Sequence, residues 1–239
     1  MRVEIWSDIA CPWCYVGKAR FDKALAAFPH RDRIEVVHRS FELDPARPKG
    51  DPVLVLPMLA KKYGMSEAQA AEAERNLGPA AEGLPYLTEG RDHGSTFDMH
   101  RLLHLAKARG RQDELLAVLY RANFAETETV FGDDERLVAL AVEAGLSEAE
   151  AREVLADEQR YAAEVRADER AATELGASGV PFFVLDRRYG VSGAQPADVF
   201  TQALTQAWES HVPASGLATP AGAEGGEACG PDGCEVPKG

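Results

Sequence analysis

Near the start of the chain two cysteines stand with two residues between them, in Ile9-Ala10-Cys11-Pro12-Trp13-Cys14-Tyr15. If a helix opens at Cys11-Pro12, the proline falls in the first turn, where its missing N–H costs nothing. Cys11 then sits at the helix N-terminus, where unpaired N–H groups and the macrodipole favour an anion. A thiolate is such an anion, and this setting lowers a cysteine pKa from about 8.5 to roughly 3.5–7.5. Cys14, one helical turn later, is within reach of a mixed disulfide formed on Cys11, so the spacing suits an attacking sulfur and a resolving one. A closed zinc site wants four ligands. The other cysteines, Cys229 and Cys234, are five positions apart and far along the chain, so no metal is expected. His100 and His104 have the four-residue spacing of a metal pair on one helical face. No carboxylates complete that set, and both read as surface or core histidines. Trp13 and Tyr15 flank the thiols and read either as packing residues or as part of a peptide-binding surface.

The elements around the pair follow from hydrophobic period. Residues 2–7 read as a strand, 11–28 as a helix with Phe21, Leu25 and Phe28 at helical spacing, and Arg33 to Phe41 as a second strand. Strand, crossover helix and strand make a βαβ unit with a parallel pair. In that context a Cys-x-x-Cys pair reads as thioredoxin-like. After the proline-rich stretch Leu43 to Pro52 the period is helical only, from about residue 53 to 175. Ser66-Glu67-Ala68-Gln69 and Ser147-Glu148-Ala149-Glu150 carry capping-box patterns. The second opens a long helix to about Leu175. Asp133-Asp134-Glu135 reads as helix capping, since negative charge there favours the dipole. Strands return in Ser178-Gly179-Val180-Pro181-Phe182-Phe183-Val184-Leu185 and pair back through Tyr189-Gly190-Val191-Ser192-Gly193 as a hairpin. Pro196 to Trp208 is a final helix. The expected class is α/β, with residues 1–45 and 176–212 forming two halves of one domain, 46–175 an all-α insertion, and 213–239 a tail. Pro213 to Ala228 is rich in Pro, Ala, Gly, Ser and Glu, a composition that reads as disordered.

Hydrophobic residues make up 45% of the 239-residue chain, enough to bury a sizeable core, and no run approaches the roughly 18 apolar residues of a membrane span. The formal net charge is -13. Nucleic acid and anionic membranes, which need clustered Lys and Arg, are therefore not expected as partners. The first eight residues lack the apolar stretch of a secretion signal. The expected location is the cytoplasm, where structural disulfides are uncommon and a cysteine pair leans toward catalysis or redox sensing.

Cys11-Pro12-Trp13-Cys14 between a strand and a helix, the helical insertion, and Gly179-Val180-Pro181-Phe182-Phe183 before a hairpin closely resemble the DsbA-like thiol–disulfide oxidoreductases. Ile5-Trp6-Ser7-Asp8 and Val191-Ser192-Gly193-Ala194-Gln195 resemble the FrnE subfamily in particular. The resemblance covers about residues 1–210. It implies a thioredoxin-like fold with a large all-α insertion domain, Cys11 as nucleophile and Cys14 as resolving thiol. It also implies a cis Pro181 beside the thiols and a Val180 backbone that pairs with an extended substrate, so Pro12, Trp13, Val180 and Pro181 become candidate substrate-binding residues. The periplasmic DsbA pattern has a histidine where this chain has Trp13. A neutral indole supplies no positive charge to a thiolate, and strong oxidising power is not implied. The fold also resembles kappa-class glutathione transferases and 2-hydroxychromene-2-carboxylate isomerases, which bind glutathione and use a serine where this chain has Cys11. A glutathione-dependent transferase or isomerase is thus the alternative the resemblance implies, against which Cys-Pro-Trp-Cys favours disulfide exchange, since the second thiol would have no task there.

The tail adds a second pair. Gly230-Pro231-Asp232-Gly233 is a strong turn that can bring Cys229 and Cys234 within disulfide range, about 7 Å between Cα atoms. On random-coil scaling, Pro213 to Cys229 reaches about 20–25 Å, against a radius of gyration of about 18 Å for a domain of this size. Exchange of electrons between Cys229/Cys234 and Cys11/Cys14 is therefore one expectation, and an incidental pair is the other. The expected partners are proteins with thiols or disulfides, with glutathione or a thioredoxin-type donor as a source of electrons and no cofactor. A different class, a redox-switched holdase that binds unfolded protein against the insertion, stays open beside the enzyme.

Overall fold

The computed structural model describes residues 1–77 and 82–211, together with the backbone of 229–230 and 233–234. The expected disorder of 213–228 lies outside the described residues. Strand β1 (Arg2–Ser7) leads into helix α1 (Pro12–Ala27), which ends where Phe28 turns extended before Pro29. Strand β2 (Glu35–Ser40) returns parallel to β1, with Val3 beside Val36 and Ile5 beside His38. After the insertion, β5 (Phe182–Leu185) runs antiparallel to β1, and β6 (Tyr189–Ser192) pairs with β5. The sheet order is β2-β1-β5-β6.

Both faces of this sheet are covered, as the alternation of β1 requires. Val3 and Ile5 point to one side and pack with Phe21 of α1, with Phe183 and Leu185, and with Phe200 and Leu204 of the last helix, α9 (Ala197–Glu209). Each fully buried Phe here contributes roughly 1.5–3 kcal/mol. Trp6 points the other way, onto Phe182, Val184 and Ala172 of the insertion. On that same face Glu4 is buried and ion-paired, with Arg39 Nε donating to it at 3.0 Å and Arg187 Nε at 3.1 Å. Arg39 also reaches Asp168 Oδ1 at 3.0 Å, and the Trp6 indole donates to the Asp168 carbonyl at 2.7 Å. Charged groups thus lock the insertion to the sheet, and they are tolerated there because each has a partner.

The insertion holds α2 (Val55–Tyr63), α3 (Glu67–Arg75), α4 (Phe97–Ala108), α5 (Gln112–Ala125), α6 (Asp134–Glu143), α7 (Glu148–Ala156) and α8 (Ala162–Glu174). The whole is a thioredoxin-like fold interrupted by a large helical insertion. Three sequence expectations need correction. Residues 53–175 are not helical throughout: β3 (Val53–Leu54) pairs antiparallel with β4 (Asp92–His93), a ladder too short to show a period of two. The long helix from Ser147 to Leu175 is two helices. The Arg101 guanidinium, with no exposed surface, enters at the break and donates to the carbonyls of Val154, Asp157 (2.7 Å) and Arg160 (3.3 Å). Tyr161 takes a left-handed φ of 63° at the same place. An Ala/Glu/Arg-rich sequence carries no trace of carbonyls claimed by an arginine about fifty positions upstream. Finally, Ser147 makes no capping hydrogen bond, and the Glu150 side chain that the box would turn back to the Ser147 N–H instead accepts from Arg109 Nε at 3.1 Å. The box at Ser66 and Gln69 does form, and Asp133 caps α6 through the Arg136 N–H at 2.9 Å.

Candidate active site

Cys11 is the N-cap of α1, in extended conformation, and Pro12 occupies the first turn. Both Cys11 and Cys14 are free thiols, 5% and 1% exposed. Their environments differ. A hydrogen bond from the Cys14 thiol, helped by the Cys14 and Trp13 backbone N–H groups at the helix start, pulls the Cys11 pKa down against the opposing effects of burial and the Asp8 charge. Burial pushes Cys14 well above the usual thiol range, and the neighbouring Cys11 adds to this. Two cysteines of one motif are thus separated into one whose thiolate is favoured relative to an ordinary thiol and one whose thiolate is disfavoured.

Asp8, which sequence reasoning noticed only as part of a family pattern, lies beneath the pair. Its backbone N–H donates to Cys14 Sγ at 3.5 Å. Its carboxylate is 1% exposed and accepts from the N–H groups of Leu43 (2.7 Å) and Ala10 (3.3 Å). His100 Nε2 stands 3.5 Å from Oδ1, the outer limit of a hydrogen bond. Burial raises the Asp8 pKa, but His100, the Leu43 N–H and Thr96 outweigh it, and the group stays below the usual carboxylate range. A fixed negative charge therefore sits beside the thiols and works against ionisation of both. His100 and His104 are core residues, on different acids. His104 faces Ser40 Oγ at 3.2 Å and Asp168 Oδ2 at 3.3 Å. Among the described residues no group of three or more His, Cys, Asp or Glu is placed to hold a metal ion.

The insertion props the turn before Cys11. Asn123 of α5 donates to the Ile9 carbonyl at 2.8 Å. Tyr15 stacks on Phe124 with ring centroids 5.2 Å apart and leans on Tyr120 at 5.4 Å, so Tyr15 is a packing residue. Trp13 points outward and is 43% exposed.

The Val180–Pro181 peptide bond is cis, and Pro181 is buried beside α1. The Val180 carbonyl lies 3.8 Å from Cys11 Sγ, within reach of the thiol proton. The Pro181 carbonyl accepts from the Gly193 N–H at 2.8 Å. Gly17 admits this approach: a Cβ there would lie 2.8 Å from Pro181 Cγ. The structure thus brings Cys11, Pro12, Trp13, Cys14, Val180 and Pro181 into one corner. The backbone of Cys229 pairs antiparallel with that of Cys234; their side chains lie outside the described residues. Gly17 and Asn123 join the corner without a sequence signal of their own; Asp8 is visible only within the Ile5-Trp6-Ser7-Asp8 pattern, and His100 only by its spacing from His104, which points to a different role.

The family model for the DSBA-like thioredoxin domain matches residues 2–205. The probable DsbA oxidoreductase SCO1869 from Streptomyces coelicolor is 69% identical, with a TM-score of 0.87 over 100% of both chains. The cytosolic disulfide reductase DsbM from Pseudomonas aeruginosa, in a structure with GSH, is 22% identical with a TM-score of 0.55, over 86% of this chain and 98% of that one. Protein YwbO of Bacillus subtilis, itself uncharacterized, is 29% identical over 211 residues, 86% of this chain and 96% of that protein.

Proposed function

Since the chain belongs to the DSBA-like thioredoxin domain family, we propose that it is a thiol–disulfide oxidoreductase whose reacting sulfurs are Cys11 and Cys14 and whose substrates are proteins bearing thiols or disulfides. The observation that carries this reading is the divided environment of the two thiols: Cys11 stands at the helix start beside the Val180 carbonyl, with its pKa drawn down, and Cys14 is buried behind it, with its pKa pushed up. In the reducing direction the Cys11 thiolate attacks one sulfur of a substrate disulfide. A new S–S bond forms as the substrate bond breaks, and the departing substrate thiolate takes up a proton. Cys14 then loses its proton and attacks Cys11, releasing the second substrate thiol and leaving the Cys11–Cys14 disulfide. Burial, with the neighbouring Cys11 adding to it, is what holds the proton on Cys14 until that step; the Asp8 charge acts in the same direction but more weakly, and the Asp8 backbone N–H opposes it.

An extended substrate strand lies against Val180 and Pro181, with Trp13 as an exposed apolar contact at the rim. Reduction or isomerisation in the cytoplasm is the direction this reading favours, since Trp13 offers the thiolate no charge. The proposed reductant is glutathione or a thioredoxin-type dithiol; the DsbM structure is an instance of this fold accompanied by GSH. Cys229 and Cys234 serve as a second redox pair that exchanges with the first. The test is reduction of insulin by catalytic amounts of protein. Turnover that disappears in Cys11→Ser is expected. No turnover in the unaltered chain, with binding of unfolded protein that persists in Cys11→Ser, would replace the enzyme with a redox-switched holdase.

A further inference from the structure

Helix α2 is poorly covered. Of its nine residues only Val55 is buried, while Leu54, just before it, is 56% exposed and Tyr63 60% exposed. Val53, Leu54, Pro57 and Met58 floor an open groove of about 610 Å³, and Arg47, Lys61 and Lys62 form its rim. Arg47 is paired with Asp44 at 3.3 Å, so the basic character of this patch, on a chain of net charge -13, comes from Lys61 and Lys62. Neither Lys61 nor Lys62 has an ion-pair partner among the described residues, whereas most other bases do.

The groove belongs to the side of the molecule that carries the thiols. Its inner strand, β3, pairs with Asp92–His93, and the His93 ring packs on Phe131 at 6.0 Å. Phe131 and Val130 share a buried cluster with Ile9, Cys11 and Cys14. At the rim, Arg47 lies four positions after Leu43, the residue whose N–H holds Asp8. The charges of Asp8, Arg47, Asp44 and Lys62 all act on His93.

One segment of the chain has the complementary chemistry. From residue 224 onward the sequence carries Glu224, Glu227, Asp232 and Glu235 against a single Lys238, with Val236 and Pro237 as apolar residues beside the acids. These acids flank the Cys229/Cys234 strand pair. The connection from His211 to Cys229 is 18 residues, which spans up to about 60 Å when extended, several times the radius of gyration of about 18 Å expected for a domain of this size.

We propose that the acidic C-terminal segment around Cys229 and Cys234 docks in the basic groove of α2. Docking holds the second pair on the thiol side and raises its effective concentration at Cys11. The proposal rests on the reading of Cys229/Cys234 as a redox pair and names the surface it uses. A disulfide between Cys229 and Cys234 is attacked by the Cys11 thiolate. The mixed disulfide is resolved by Cys14, so two electrons pass from the Cys11/Cys14 dithiol to the tail, and the reverse sequence returns them. No further oxidant is needed.

The test uses the full chain with Cys11, Cys14 and Cys229 changed to serine and a nitroxide attached to Cys234. Relaxation enhancement concentrated on the Leu54 and Met58 methyl groups is the expected result. It should fall about three- to tenfold in K61E/K62E, as expected for reversing two exposed charges, and fall likewise at about 0.5 M salt. Superposition of the two spectra away from α2 separates lost docking from misfolding. Enhancement absent from α2, or unchanged by K61E/K62E, overturns the proposal. Thiol trapping of the unaltered chain runs in parallel. Docking without equilibration of the two cysteine pairs would keep the docking and remove the second redox pair. Equilibration without enhancement at α2 would do the opposite.

Discussion

Gly17→Ala tests whether the contact between α1 and the Pro181 loop sets the geometry at Cys11. The added Cβ would meet Pro181 Cγ at 2.8 Å, Pro181 Cβ at 3.4 Å and Ala194 Cβ at 3.5 Å. Carbon atoms rest at about 3.5–4.0 Å, so the closest pair must separate by about 0.7 Å or more. The proline ring has no rotamer to give, and its carbonyl is held by the Gly193 N–H at 2.8 Å. The strain must therefore move the loop or the first turns of α1. Overpacking of this kind costs about 1–3 kcal/mol, while replacing a mid-helix glycine by alanine returns roughly 0.5–1 kcal/mol. Net destabilisation of about 1 kcal/mol is expected from these two effects. The effect on turnover should be larger, because the Val180 carbonyl stands only 3.8 Å from Cys11 Sγ and a shift approaching 1 Å can lower turnover by up to about a hundredfold. The assays are kcat/KM for insulin reduction, thermal unfolding, and a cycle with Pro181→Ala, which removes Cγ and should make the Gly17→Ala loss much smaller. An alanine variant that is more stable than the parent and fully active would refute the reasoning, since helix propensity alone would then account for the site.

Two further outcomes follow from buried charges. Asp8→Asn should lower the pKa of Cys11, read from thiolate absorbance near 240 nm, because the Asp8 charge raises it. The same variant should lose part of the acid-side fall in stability: the folded pKa of Asp8 is depressed, so its contribution is present above the unfolded value of about 3.9 and disappears as pH falls through the folded value. Parallel pH–stability curves for the Asp8→Asn variant and the parent would contradict this. Arg101→Leu should cost about 3–5 kcal/mol, since it takes from three carbonyls at the α7–α8 break their charged donor and leaves Asp98 with Lys49 alone; denaturant unfolding measures it, and a loss under about 1 kcal/mol would show that the break does not depend on the guanidinium.

Local spacing accounts for much of what was legible. Cys11 and Cys14 announce themselves because a helix start and a one-turn separation are properties of four adjacent residues. The alternation of Val3, Ile5 and Trp6 and the helical period of Phe21, Leu25 and Phe28 likewise declare strand and helix without reference to anything distant. The Gly179-Val180-Pro181 turn could be placed beside the thiols by resemblance, but not its distance from Cys11. What distinguishes the two thiols is tertiary. Cys14 holds its proton because the chain around it excludes water, and Asp8 stays ionised because His100, Thr96 and the Leu43 N–H converge on it from elsewhere in the sequence. Asn123 steadies the turn at Ile9 from 114 positions away. The helix break at 157–161 depends on Arg101, and the close fit of Gly17 depends on Pro181. Desolvation and long-range hydrogen bonds have no sequence period, so the motif identified the reacting atoms and set Cys11 at the helix start, while only the packed chain buried Cys14 and placed the Asp8 charge beside both sulfurs.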